Sequence, residues 1–379
     1  MILATFASSA SLTRLELEEF TGLSRTVVAG VVASLVARGE LAELRQPPAA
    51  GTRGRPPSRY QRTALLSPVL LIKLAKDGST SVSSLRGDGP CSETRQCAEW
   101  SQAWPAWSRS VLEAAAELHA WAQLPPRRAV LSAPFPVAEA RGGSPRPEIA
   151  HKVLRAAPWL EDDPRLALSR LLGCTTLVLN DANLAALVEA RFGAGQGRRA
   201  VFYITVADGI GAGFVFDGRL FTGAHGFAGE LVHVQVAADG AVCVCGNRGC
   251  LVTETEIAVR GLRTRPAPGD GELLGSLVGR AFSPLVTTLD PDCVVVDPRL
   301  AEECWPFIAE FTAELARRCP PHLVRSLVVV PGEFVDAERY GALAAADAHA
   351  AALVSEGAWP KWPPATGGRA LVRASAGTP

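Results

Sequence analysis

The chain has 379 residues, of which 48% are hydrophobic and 20% are charged, with 38 basic and 38 acidic side chains. This length exceeds a single ordinary core and predicts two or three domains. Because the formal net charge is zero, no global bias points to nucleic acid or a membrane. Nine cysteines without an export signal favour a reducing cytoplasm. No apolar run approaches the roughly 20 residues of a membrane-spanning helix.

The N-terminal stretch has the pattern of a helix-turn-helix. Two helical segments flank a tight turn at residues 21–23, and Ser24 is a good N-cap for the second helix. Val28, Val32 and Leu35 recur at helical spacing, so we expect them to form the buried face of that helix. A second helix of this kind enters the major groove of DNA. An ordinary helical hairpin is the alternative.

A predicted strand at residues 41–44 and a basic segment then suggest a wing. Residues 1–62 contain eight arginines and five glutamates, and the basic excess lies at the end of the segment. Extended arginines on a stiff, proline-containing strand suit contacts with phosphates or the minor groove. An interdomain linker is the alternative, and the two roles are compatible. The predicted DNA contacts are Ser24, Arg25, Thr26, Val27, Arg53, Arg55 and Arg59.

The second helix offers few polar groups to DNA. On its exposed face only Arg25 and Thr26 can form hydrogen bonds with a base edge. Gly30 lies inside the helix and costs roughly 1 kcal/mol relative to alanine. We therefore expect modest specific binding per half-site, with a dependence on dimerisation and on the wing.

From residue 63 onwards, predicted strands and helices alternate. The strands are predicted at residues 69–75, 82–86, 129–133, 176–179, 201–206 and 213–216. The helices are predicted at residues 107–121, 166–172, 182–194, 273–289, 309–318 and 340–355. This alternation predicts an α/β protein with two lobes. We place the lobes at residues 63–186 and 187–356, followed by a loose, flexible tail at 357–379, and we expect the last three helices to complete the second lobe.

His233, Cys243, Cys245 and Cys250 form a predicted metal site. One imidazole and three thiolates are the ligands that a tetrahedral structural zinc ion takes. Two glycines lie between the last two cysteines, and glycine tolerates the positive φ that a chain reversal needs. The loop can therefore turn its three sulfurs towards one point. The alternative is a group of neighbouring thiols that binds nothing.

The same region resembles a known family. The sequence Gly-Glu-Leu-Val-His at residues 229–233 resembles the G-E-x-G-H signature of the ROK family of repressors, open reading frames and sugar kinases. Residues 243–251 resemble the C-x-C-G-x-x-G-C-x-E signature of that family. The resemblance extends from about Leu12 to Ala352. It implies an N-terminal winged helix-turn-helix and a two-lobed, actin-like or hexokinase-like ATPase domain with a central cleft.

The resemblance also implies effector-binding residues. Asn180 and Asp181 match the Asn-Asp pair that binds sugar hydroxyls in the family, and Asp181 matches the general base of the kinases. Glu230 and His233 match the next pair. His233 would bind zinc through one ring nitrogen and could donate to a hydroxyl through the other. The glutamate that follows the last zinc cysteine in the family is replaced here by Val252, so one hydrogen bond to an effector is lost.

The phosphate-binding loops of the family kinases are altered. Residues 72–78 read Ile-Lys-Leu-Ala-Lys-Asp-Gly in place of D-x-G-G-T. Residues 207–213 keep three glycines, but Asp208 places a negative charge where a phosphate would lie. Two like charges 4 Å apart repel by about 4 kcal/mol at an effective dielectric constant of about 20. Asp297 and Pro298 replace the glycine pair near adenosine, so ATP binding is expected to be lost.

One further loop differs from the family. Residues 132–137 resemble the P-G-P-V loop, with Phe135 in place of glycine. We expect this ring to narrow the cleft near the sugar.

These features predict a ROK-type transcriptional regulator, a repressor, with a zinc-containing and kinase-inactive domain that senses a sugar or a related metabolite. We do not expect it to be an enzyme. The expected partners are a double-stranded DNA operator, a small-molecule effector and further copies of the chain in a homodimer or tetramer, without a membrane. One alternative is a sugar kinase that phosphorylates a hexose with ATP and uses Asp181 as the base. Another is a regulator whose cleft binds a different metabolite or nothing.

Overall fold

A computed structural model defines the fold. It describes residues 2, 11–37, 41–44, 58–62, 67–85, 92–122, 125–137, 158–160, 163–206, 209–264 and 269–351. The predicted DNA contacts Arg53 and Arg55, Asp208 and the predicted tail lie outside these residues. Within the described part of the chain, no single helix is long and apolar enough to span a membrane, although the first two helices meet the length and composition test as a bent pair.

The N-terminal unit combines two helices with a small antiparallel sheet. Its strands β1 (Leu12–Thr13), β2 (Leu41–Leu44) and β3 (Arg59–Arg62) pair in the order β1-β3-β2. Helices α1 (Arg14–Thr21) and α2 (Arg25–Ala37) meet at a bend of 116°. Helix-turn-helix motifs have angles of roughly 90–120°. The arrangement is therefore compatible with a winged helix-turn-helix.

Local hydrogen bonds explain where α1 begins and ends. A capping box starts the helix, because Thr13 Oγ1 accepts from the Glu16 amide at 3.2 Å while the Glu16 carboxylate accepts from the Thr13 amide at 2.6 Å. The Thr13 amide is also the main cause of the lowered pKa of Glu16. Gly22 ends the helix at φ 66°, a left-handed conformation that glycine adopts without strain. The Thr-x-x-Glu spacing could have identified this cap in the sequence.

The buried face predicted for the second helix is confirmed. Val28 and Val32 are 0% exposed and Leu35 is 3% exposed. They pack with Leu17 of α1 and Leu41 of β2. The helical spacing of the apolar residues was therefore sufficient to orient α2.

The first lobe contains a five-stranded mixed sheet. Its strands are β4 (Val69–Leu74), β5 (Thr80–Leu85), β6 (Ser92–Cys97), β7 (Arg128–Ala133) and β8 (Thr176–Asn180). They pair in the order β6-β5-β4-β7-β8, with β4, β7 and β8 parallel and the β4-β5-β6 meander antiparallel. The helices that follow in this region are α3 (Trp104–Ala122), α4 (Pro164–Leu172) and α5 (Asp181–Phe192), with a 3₁₀ turn at Pro158–Leu160.

The second lobe repeats the same topology. Its strands are β9 (Ala200–Thr205), β10 (Gly211–Phe216), β11 (Arg219–Leu220), β12 (Cys293–Val296) and β13 (Val328–Pro331). They pair in the order β11-β10-β9-β12-β13, so both sheets place their third, second, first, fourth and fifth strands side by side. The remaining helices are α6 (Leu251–Thr264), α7 (Asp270–Leu289), α8 (Cys304–Arg318), α9 (Pro321–Ser326) and α10 (Ala337–Ala351), with 3₁₀ turns at Leu231–His233 and Pro298–Glu303.

The prediction that the last helix completes the second lobe is wrong. Ala342 and Ala346 of α10 are buried in the core of the first sheet, together with Leu71 of β4 and Leu184 of α5. Small side chains on α10 allow this close packing. The predicted boundary between residues 186 and 187 also falls inside α5, whose two faces pack into the cores of both sheets. Helices α5 and α10 therefore connect the two lobes.

We expect Gly341→Ala to lower the free energy of unfolding by about 1–3 kcal/mol, as overpacking usually does. A Cβ at Gly341 would lie 2.0 Å from the carbonyl oxygen of Leu184, and backbone atoms of a neighbouring helix cannot easily move aside. Urea denaturation of both proteins would measure the change. Gly30→Ala is the matched control, because a Cβ there meets no atom within 4 Å and should raise stability by roughly 1 kcal/mol. Equal effects of the two changes would contradict the packing argument.

Candidate functional site

The four predicted metal ligands come together in the structure. The ligand atoms of His233, Cys243, Cys245 and Cys250 all lie within 4.8 Å of one another. His233 Nδ1 is 3.6 Å from Cys243 Sγ, and the Sγ atoms of Cys245 and Cys250 are also 3.6 Å apart. Tetrahedral zinc, with bonds of about 2.3 Å to sulfur and about 2.0 Å to nitrogen, separates two sulfurs by roughly 3.8 Å and a sulfur from a nitrogen by roughly 3.5 Å. Donor set and spacing therefore fit a zinc ion.

Glycines and short hydrogen bonds shape the metal loop. The Cys243 amide donates to the Asn247 carbonyl at 2.8 Å, which closes a tight turn. Gly249 has φ 62°, and a Cβ there would lie 1.7 Å from the Ala237 carbonyl oxygen. The Asn247 amide lowers the pKa of the Cys245 thiol, whereas burial raises the pKa of the Cys250 thiol to about 12. Metal binding must therefore displace protons from the cysteine thiols.

Two residues that the sequence analysis did not assign to the metal loop support it. Glu254 Oε1 accepts from the Ala241 amide at 3.1 Å, so this carboxylate stabilises the loop. Arg280 on α7 donates to the Val236 carbonyl at 3.1 Å and ties the segment after His233 to the second lobe. Nothing in the spacing of the sequence predicts the Arg280 contact, because it joins residues 44 positions apart.

A cavity of about 460 Å³ lies between the two lobes. Its walls are the end of β4 with the following turn, the first turn of α5, Thr205 of β9, Arg299, and the segment 335–339 that leads into α10. Asp181 lines this cavity. The cavity therefore occupies the place of the predicted cleft.

Asp181 and Glu230 influence each other across this region. Burial raises the pKa of Asp181, and the positive charge of Lys76 opposes the shift. Burial also raises the pKa of Glu230 to about 7, and the negative charge of Asp181 adds to the increase. Two carboxyl groups in electrostatic contact can both bind one polyhydroxy ligand, since a protonated carboxyl donates and accepts while a carboxylate only accepts.

Asn180 is held by the backbone. Its Oδ1 accepts from the Asn183 amide at 3.1 Å and caps α5, while its Nδ2 donates to the carbonyls of Ala133 and Phe135 at 3.4 and 3.3 Å. The side chain therefore fixes the start of α5 and the position of the adjacent Asp181.

The prediction that Phe135 narrows the cleft is wrong. Phe135 is 6% exposed, and its ring packs against Trp100 with the centroids 6.4 Å apart, whereas Pro134 lines the cavity. Trp100 Nε1 also donates to the Ala75 carbonyl at 2.8 Å. The aromatic core of the first lobe thus holds the turn after β4, a role that the sequence analysis did not assign to its tryptophans.

Charged side chains occupy the altered first phosphate loop. Lys73 forms an ion pair with Glu338 of α10. Burial lowers the pKa of Lys73, but the carboxylates of Glu338 and Asp181 have a stronger opposite effect, so its pKa is raised overall. Lys76 extends across to the second loop, where its Nζ lies 2.5 Å from the position that a Cβ of Gly209 would take. The cleft therefore contains two lysines where the family kinases have D-x-G-G-T.

A second buried ion pair lies on the other side of the cavity. Asp297 is 0% exposed and accepts from Thr205 Oγ1 at 2.5 Å and from Arg299 at 2.7 Å. Arg299 lines the cavity. The glycine pair expected near adenosine is thus replaced by a fixed carboxylate and its guanidinium partner.

The predicted DNA contacts have different environments. Ser24 directly precedes α2, and Arg25, Thr26 and Val27 form its exposed first turn. Arg59 is engaged inside the unit instead, because its guanidinium donates to the Ser11 carbonyl at 2.7 Å and pairs with Glu16.

The fold defines the class of the protein. It is a two-lobed, hexokinase-like α/β fold preceded by a small unit of helices and strands. The crystal structure of a ROK family transcriptional regulator, a homologue of the Escherichia coli MLC protein, has the same fold: it aligns with 91% of this chain and 94% of its own, with a TM-score of 0.67 and 20% identity.

The family model of the ROK family matches residues 156–273. The chain therefore carries a ROK family domain, and the resemblance found in the sequence is confirmed.

Relatives of both functional types share this domain. The glucokinase of Streptomyces coelicolor is 37% identical over 92 residues, which is 24% of this chain and 29% of that protein. The xylose repressor of Bacillus spizizenii is 24% identical over 193 residues, which is 46% of this chain and 50% of that protein. The chain thus aligns with half or less of the length of these two relatives. Similarity to them alone does not separate a kinase from a regulator.

Proposed function

We propose that the protein is a DNA-binding transcriptional repressor that acts in the cytoplasm, and that its ROK domain binds a sugar or a related metabolite. The observation that carries this proposal is the exposed first turn of α2, in an N-terminal unit compatible with a winged helix-turn-helix at residues 1–62. The fold shared with a ROK transcriptional regulator over 91% of the chain supports it. Two copies of the unit, in a dimer or tetramer, would bind the two halves of an operator.

Effector binding is proposed for the carboxyl groups of Asp181 and Glu230, with Asn180 and His233 beside them. A ligand can change DNA affinity only through its different affinity for the two states of the cleft. The lobes move relative to each other in the proposed switch, and α5 and α10 connect them. The zinc ion would be held by His233 and the three cysteines and would fix the orientation of the imidazole.

The protein is proposed to lack kinase activity. Phosphoryl transfer depends on groups that cradle the phosphates and place them in line. Here Lys73 is paired with Glu338, and Asp297 is paired with Arg299, in the parts of the cavity that a nucleotide would need. The second candidate is a hexose kinase with Asp181 as the base, which the match to a glucokinase favours. Hexose-dependent ADP formation at an enzymatic rate would establish this second candidate.

Fluorescence anisotropy with the promoter region of the protein's own gene would test the regulator. We expect sequence-dependent binding that a sugar or sugar derivative changes. The double substitution Arg25→Ala with Thr26→Ala should weaken specific binding roughly tenfold or more, because each good base contact contributes about 1–3 kcal/mol. Both side chains are exposed, so the fold should remain intact. Absence of sequence-dependent binding at every ligand concentration would contradict the proposal.

A further inference from the structure

The exposed face of α2 is apolar and small. The helix has 13 residues, of which Arg25 is charged. Val27 is 46% exposed and Val31 is 37% exposed, one helical turn apart, and Gly30 lies between them. A surface helix usually has charged and polar residues on its solvent side. The face formed by Val27, Gly30 and Val31, here called the valine face, therefore differs from an ordinary solvated surface.

The protein's own fold does not account for the valine face. Exposed valines lower helix propensity because their branched side chains lose rotamer freedom. Gly30 weakens the helix further, and yet a Cβ at this position would meet no atom within 4 Å. Its backbone is not in the left-handed region either. Since neither packing nor backbone conformation requires glycine here, the missing side chain leaves room for a partner that approaches the helix closely.

We infer that the valine face binds thymine C5-methyl groups in the major groove, an inference that rests on the proposed DNA-binding function. The thymine methyl is the apolar group that base edges present in this groove, and aliphatic side chains read it by contact. Gly30 allows the helix backbone to approach the bases. Arg25 at the positive N-terminal end of α2 and the arginine excess of residues 1–62 complement the phosphates on either side. The partner is thus a duplex with A·T pairs beside the base contacted by Arg25.

Deoxyuridine substitution tests this inference at the level of a single methyl group. A duplex would first be selected from a random library with the full-length protein, and then synthesised with thymine replaced by deoxyuridine. We expect affinity to fall about fourfold for each contacted methyl group removed. In Val27→Ala the loss on deoxyuridine substitution should shrink, because the side chain that contacts the methyl is absent. Equal affinity of the wild type for both duplexes, or the same loss in Val27→Ala, would overturn the inference.

Gly30→Ala separates a binding role of this residue from a structural one. The variant should have a higher melting temperature than the wild type and at least a tenfold lower affinity for the selected duplex. A merely structural glycine would not move stability and binding in opposite directions. Leu112→Ala, which removes an exposed aliphatic side chain from α3, is the control and should leave DNA binding unchanged.

The remaining outcomes identify other occupants of the face. If Val27→Ala dissociates the oligomer and the deoxyuridine duplex still binds normally, a second copy of the chain covers the valine face and the inference is wrong. If the wild type selects specific duplexes that lack thymine near the Arg25 contact, the proposed function stands and the inference fails. If it selects no specific duplex, the proposed function fails with it.

Discussion

Replacing Cys250 with serine is expected to abolish metal binding and to open the metal loop. Val242 and Val244 in this loop are 61% and 73% exposed, so apolar burial contributes little to its structure. The loop is therefore expected to depend on the metal and on backbone hydrogen bonds. Structural zinc sites contribute several kcal/mol or more to folding. We expect the zinc content to fall from one ion per chain to nearly none and the melting temperature to fall by roughly 10 °C.

Metal analysis by mass spectrometry and limited proteolysis would measure the two effects. Cleavage within residues 237–250 should become rapid in Cys250→Ser while the two lobes remain protected. Cys174→Ser is the matched control, since this thiol lies outside the cluster and should leave the metal content unchanged. Wild-type protein purified without metal, or Cys250→Ser protein that retains it, would contradict the zinc assignment.

The sequence was sufficient where local patterns decide the structure. The spacing of Val28, Val32 and Leu35 oriented α2 correctly, because a helix that packs on one side needs apolar residues on that side. The cysteine spacing identified a cluster that the structure brings within 4.8 Å. In both cases the residues that act together are close in sequence or repeat at a fixed period.

The sequence was insufficient where distant segments meet. Lys73 and Glu338 are separated by 265 positions, and no local pattern shows that α10 returns to the first lobe. Phe135 illustrates a different failure: comparison with a family glycine indicated where the residue lies but not which way its ring points. The ring follows the tryptophans of the first lobe, because burial against aromatic side chains is more favourable than exposure in a polar cleft.

Glu189 is the second position where a single change should have a large effect. This carboxylate is 0% exposed, and it accepts from the amides of Ala194, Glu333 and Phe334 at 3.0, 2.8 and 2.8 Å. The side chain thereby joins α5 to the segment between β13 and α10. Glu189→Ala leaves three backbone donors without their acceptor, and each buried unsatisfied group costs about 1–3 kcal/mol. We expect the free energy of unfolding to fall by roughly 4 kcal/mol in urea denaturation.

The pH dependence of stability distinguishes this carboxyl group from an ordinary contact. Burial, with a smaller contribution from Glu333, raises the pKa of Glu189 from 4.5 to about 7 although the amides oppose the shift. The folded protein therefore binds the proton more strongly than the unfolded chain. The resulting contribution to stability is fully present below pH 4.5 and is lost as the pH rises through about 7. A shift of this size corresponds to about 3 kcal/mol.

Glu189→Gln should remove this dependence, because its amide does not titrate. The difference in unfolding free energy between wild type and variant should then be about 3 kcal/mol larger at low pH than at high pH, when measured in urea at intervals from about pH 4.5 to 8. Glu113→Gln, which changes an exposed carboxyl on α3, should leave the wild-type profile intact. Parallel profiles for the wild type and Glu189→Gln would mean that the three amide donors stabilise the carboxylate enough to offset its burial. The connection between α5 and α10 would then be equally strong at every pH in this range.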